Sequence, residues 1–114
     1  MLTPIFRFLV KGSSPDPYIV AVHKTSKGAV RITCTCRAGE NGQHCKHRVA
    51  LILGDISALV SGNENDITML HSLLKGDPIL TAIGEVGAKE KAFEAAKRAL
   101  AQAKRDLAAA MNAD

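Results

Sequence analysis

Residues 34–47 read CTCRAGENGQHCKH. Cys34 and Cys36 stand one residue apart, as do Cys45 and His47, and all three cysteines of the chain lie in this stretch. Thiolate sulfur and imidazole nitrogen are the ligands that zinc takes in closed tetrahedral sites. An odd number of cysteines in one tight group does not make a disulfide framework. Cysteines used only as small buried hydrophobes would have no reason to cluster beside a histidine. Nor is C-x-C the C-x-x-C arrangement of thiol–disulfide exchange. The stretch is therefore read as a metal site holding one zinc ion, with His44 an alternative to His47.

The flanks give that site a scaffold. Upstream, Tyr18 to His23 alternates as a strand, Lys24 to Gly28 forms a turn, and Ala29 to Cys34 returns, so a hairpin ends on the first ligand. Side chains at i and i+2 share one face of a strand, which lets Cys34 and Cys36 address one ion. Arg37 to Gln43, with two glycines, is expected to be a loop. Downstream, a helix is predicted from His44 or Cys45 through Val49, Ile52 and Leu53 to Gly54. Cys45 and His47 then sit at its first turn, where positions are less constrained than in a helix interior.

This order of hairpin, C-x-C, spacer, C-x-H and apolar helix resembles the SWIM zinc fingers. The resemblance covers about residues 18–54, less than half the chain. Carried onto this sequence, the motif makes Cys34, Cys36, Cys45 and His47 the ligands, leaving His44 outside the set, and His23 and His71 as ordinary histidines. It implies a single structural zinc and a role in binding DNA or proteins. SWIM domains occur in transposases, chromatin-associated ATPases and ubiquitin-pathway proteins, but nothing here resembles the catalytic domains of those proteins.

Outside the finger, residues 1–17 comprise a strand from Ile5 to Val10 and a loop rich in Gly, Ser and Pro. Residues 55–84 are read as a short helical region. Asp55 to Val60 is one candidate helix there. Asp66 is expected to cap another through Met69, Leu70, Leu73 and Leu74. Gly84 and Gly87 mark a junction. Residues 85–114 form the last section, with a long helix from Ala88 to Met111, rich in Ala, Lys, Glu, Arg and Leu and free of Gly and Pro. Phe93, Ala96, Leu100, Ala103, Leu107 and Ala110 recur at spacings of three and four, a heptad seam of alternating large and small residues. The fold class expected is α+β: a small zinc-stapled ββα finger followed by helices.

The 114 residues are 46% hydrophobic, with no Trp and a formal net charge of +4. A chain this short buries little apolar surface, so a metal staple suits it. No apolar run has the length of a membrane span, and no signal peptide is recognised. Free thiols suit a reducing, intracellular location, the nucleus included in a eukaryote. Four ligands close the zinc tetrahedron, and neither a deaminase-type motif nor a phosphate loop accompanies them, so no enzymatic activity and no small-molecule substrate are expected. Two binding roles remain. Lys24, Lys27, Arg31, Arg37, Lys46 and Arg48 lie in or beside the finger and are candidates for contact with DNA phosphates. Phe93, Leu100 and Leu107 are candidates for a protein interface, a homodimer included. Lys97, Arg98, Lys104 and Arg105, repeating every seven residues, add a basic flank for an acidic partner.

Overall fold

A computed structural model describes residues 3–113. Its element order is β1 (Phe6–Val10), β2 (Tyr18–Lys24), β3 (Val30–Cys34), α1 (Arg37–Glu40), α2 (Lys46–Ile52), α3 (Asn65–Leu74) and α4 (Pro78–Met111). The three strands form one antiparallel sheet in the order β1-β2-β3. The expected α+β class holds, and the hairpin gains the N-terminal strand as a third member. Phe8 lies opposite Val20, and Val20 opposite Cys34, so one buried row crosses the sheet and ends on a ligand. Leu51 and Ile52 of α2 and Ile67, Leu70 and Leu74 of α3 complete the core. The β2–β3 turn is closed by Thr25 N–H donating to Ala29 O at 2.8 Å, with Gly28 at φ +81°. His23, on β2 opposite Arg31, buries an Nδ1 with no hydrogen-bond partner among the described residues.

Four local expectations are corrected. Residues 37–40 are not loop but the one-turn helix α1. It forms because the Cys36 sulfur accepts the Gly39 N–H at 3.3 Å, as an N-cap side chain does. Asp55 to Val60 is not a helix. Lys11 N–H donates to Ala58 O and Val60 N–H to Leu9 O, so this segment lies along the outer edge of β1. Ser61 Oγ accepts the Leu9 N–H, and Asn63 Nδ2 donates to Arg7 O on the same edge. An edge strand's free backbone groups attract such a cover. The N-cap of α3 is Glu64, without a side-chain hydrogen bond. Asp66 lies in the first turn, its carboxylate accepting from Asn63 Nδ2. Finally, Gly84 and Gly87 do not interrupt the last helix, which starts ten residues before Ala88, at Pro78. Proline at a first helical position loses no intrahelical bond and presets φ.

The chain divides into two compact units at Asp77–Pro78. The first contains the sheet, α1, α2 and α3. The second is α4, of 34 residues, none of which is buried. Among the described residues, no helix is long and apolar enough to cross a membrane.

Candidate metal centre

Three pieces of backbone place the four ligands. Cys34 is the last residue of β3, opposite Val20. Cys36 is the N-cap of α1 and Cys45 the N-cap of α2, with His47 in the first turn of α2. Helix N-termini favour thiolates, because their unpaired N–H groups and dipole face the negative charge. The three sulfurs are buried and His47 is half-buried.

The four ligand atoms lie within 4.8 Å of one another. Cys36 Sγ is 3.3 Å from Cys45 Sγ. His47 Nδ1 is 3.6 Å from Cys45 Sγ and 3.9 Å from Cys34 Sγ. In a tetrahedron with Zn–S of about 2.3 Å and Zn–N of about 2.0 Å, the ligand–ligand edges would be roughly 3.5–3.8 Å. The donor set and its spacing fit one structural zinc ion, with Nδ1 the ligating nitrogen of His47. His44 is exposed and stands outside this cluster.

The packing around the ligands orients them. The Tyr18 ring stacks at 4.8 Å, tilted by 47°, on the His47 ring. A β-carbon at Gly12 would meet that Tyr18 ring and lie 3.2 Å from His47 Nε2, so the first loop closes over the histidine. A β-carbon at Gly39 would meet the Cys34 carbonyl oxygen, so α1 reaches its position only with glycine there. Neither glycine stood out in the sequence, because both lie in stretches that read as ordinary loops.

Protonation differs across the cluster. Burial pushes the Cys34 thiol up to about 12, with the Cys45 charge adding to the effect and the Cys36 N–H opposing it. Burial acts on Cys45 in the same direction. There it is outweighed by the Arg48 N–H and by hydrogen bonds from Cys36 and His47, which together bring the thiol down to about 6. At neutral pH the metal-free site thus presents a thiolate at Cys45 and a thiol at Cys34.

Residues 18–53 match the family model of the SWIM zinc finger. This segment is a SWIM zinc finger. The match spans about a third of the chain, and it contains all four ligands, α1 and α2. No curated protein and no solved structure matches the chain.

The six basic residues proposed for phosphate contact fall into three groups around this SWIM finger. Arg37 and Lys46 are exposed and line a shallow groove of about 390 Å³ beside the ligands, with His44, Ser13 and Tyr18. Lys24, Lys27 and Arg31 are exposed near the hairpin turn, where β2 ends and β3 begins. Arg48 has another occupation. It donates from Nη1 to Ile32 O at 3.1 Å and from Nη2 to Gln43 O, tying α2 to β3 and to the spacer.

Proposed function

We propose that the SWIM finger is a zinc-stapled module that binds the phosphate backbone of duplex DNA. The observation that carries this reading is the finger's charge. Residues 18–53 contain six basic residues and one acidic residue, Glu40. Arg37 and Lys46 are the principal contacts, because both are exposed and stand on the rim of one groove. Lys24, Lys27 and Arg31 supply a second contact at the hairpin. Arg48 is a positioning residue that holds the groove in shape. The finger's one tyrosine already packs on His47, so no aromatic platform is free for unstacked bases, which favours duplex over single strand. The ligand set is closed and leaves no coordination position for water, which supports a binding module rather than a catalyst.

The test is DNA binding as a function of salt for the zinc-loaded chain and for Arg37→Glu/Lys46→Glu. Each neutralised phosphate contributes about 0.9 to the slope of log affinity against log salt. The double variant should bind more weakly and with a slope smaller by about two units. Absence of binding at low salt would dispose of the proposal.

A second reading has its own observation. The stripe of Phe93, Leu100 and Leu107 lies on a helix with no buried residue, which suits association with another chain.

A further inference from the structure

Val86, Phe93, Leu100 and Leu107 recur every seven residues along α4 and are 40%, 65%, 57% and 59% exposed. Alanines stand three residues after the last three of them, at 96, 103 and 110, and Lys89 stands three after Val86. In heptad terms the bulky residues occupy position a and the small ones position d. We propose that α4 pairs with α4 of a second copy of this chain, antiparallel and over its whole length. The proposal rests on the second reading above and adds to it the partner, the direction and the register.

Direction follows from side-chain size. In a parallel pair each residue faces its own copy. Phe93 and Leu100 would form bulky layers, and Ala96 and Ala103 layers of paired methyl groups between them. No single helix separation fits both, and voids at the alanine layers would be destabilising. In an antiparallel pair position a faces position d of the partner. The layers built from Val86, Phe93 and Leu107 then each join one bulky residue to an alanine, and the helices approach closely there; the Leu100 layer meets Lys89 instead.

Register follows from length and charge. Reversing α4 onto itself with the two-fold axis between residues 94 and 95 overlaps all 34 residues. It places Phe93 against the partner's Ala96, Val86 against the partner's Ala103 and Leu100 against the partner's Lys89. A shallow, open depression on the face of α4, lined by Val86, Lys89, Glu90 and Phe93 among others, is where the partner's Leu100 would enter. Those four residues are the a, d, e and next a positions, the outline of a coiled-coil hole. Its parallel occupant would be a second Lys89, a poor fit.

Beside the seam this register sets Glu90 next to the partner's Lys97, twice by symmetry. It also sets the half of the helix carrying Glu85, Glu90 and Glu94, together with Lys89 and Lys91, against the more basic half carrying Lys97, Arg98, Lys104 and Arg105 with Asp106. One like-charged pair, Glu85 with the partner's Asp106, remains on the opposite flank. At 1.5 Å per residue and about 10 Å in width, the seam would bury roughly 500 Å² on each chain. The total of about 1,000 Å² is at the lower bound for a specific interface.

The test is sedimentation equilibrium of the zinc-loaded full chain with surface variants, helicity being checked by circular dichroism. Wild type should have twice the 12.1 kDa chain mass, and Leu100→Lys should be monomeric. Glu90→Lys and Lys97→Glu should each weaken the dimer by about fivefold, with the double variant restoring it. Asp106→Lys should tighten it. A monomeric wild type at about 100 μM, or a Leu100→Lys dimer, would overturn the seam and the second reading with it. A dimer that Glu90→Lys tightens would overturn only the direction, because a parallel pair sets Glu90 beside the partner's Glu85.

Discussion

A β-carbon at position 39 would meet the Cys34 carbonyl oxygen and lie 2.9 Å from the Cys34 Cβ. Both neighbouring atoms belong to a ligand residue at the end of a strand, so neither can move without moving the sulfur. Gly39→Ala should therefore lower both zinc affinity and thermal stability, the latter by about 1–3 kcal/mol as other overpacked sites do. Chelator competition and a melting curve would measure this, and wild-type values for both would contradict the contact. The ligands themselves were legible in the sequence, because sulfur and imidazole are scarce and their spacing is chemical information. Gly39 was not, because its restriction comes from Cys34 rather than from its neighbours in the chain. The thiols give a second prediction at this scale. Cys45 titrates at about 6 and Cys34 at about 12. Zinc binding at neutral pH must then displace a proton from Cys34, and below about pH 6 a further one from Cys45. Affinity should accordingly rise with pH, about tenfold per unit for each proton displaced, and more steeply below pH 6 than above it. Zinc competition titrations at pH 5.5, 7 and 8 would show that order, and a flat profile would refute it.

At the level of elements, α2 was legible from both ends. Cys45 precedes it as N-cap, and Gly54, at φ +84°, follows its last turn. The start of α4 was not. Gly84 and Gly87 each cost a helix about 1 kcal/mol relative to alanine, and that local cost suggested a break. The helix continues through them into the run of good helix formers that begins at Ala88. Residues 55–60 misled in the opposite sense, since their apolar pattern answers to the edge of β1, which only the fold reveals. The tie between α2 and β3 is likewise tertiary. Arg48 donates to Ile32 O and Gln43 O, and a charged donor on a backbone carbonyl contributes more than a neutral one. Arg48→Met should thus destabilise the finger by about 1.5–3 kcal/mol. Arg37→Met should leave stability within about 0.5 kcal/mol, its side chain being exposed. Denaturant unfolding of the two variants separates the arginine that ties the fold together from the one proposed to contact DNA. Equal losses would mean that Arg37 too is structural.

For the whole molecule, the break at Asp77–Pro78 assigns the two proposed activities to different units. The finger's core is small and stapled by metal. The helix contributes no buried residue. Chelation should therefore abolish DNA binding while the sedimentation mass stays that of a dimer. Antiparallel pairing adds a length scale. Each finger joins α4 at Pro78, and two antiparallel helices of 34 residues hold their Pro78 ends about 50 Å apart. At 3.4 Å per base pair along one strand, that span corresponds to roughly 15 base pairs. A duplex of 10 base pairs is shorter than the span between the two Pro78 ends, whereas one of 30 base pairs exceeds it. The second contact on the longer duplex becomes intramolecular, and affinity should rise by a factor of ten or more beyond the simple gain in number of sites. In Leu100→Lys, with the fingers uncoupled, that rise should disappear while affinity for the 10-base-pair duplex is unchanged. Fluorescence anisotropy on the two duplexes with both proteins decides the matter. An equal preference for the long duplex in wild type and Leu100→Lys would mean that the fingers act singly.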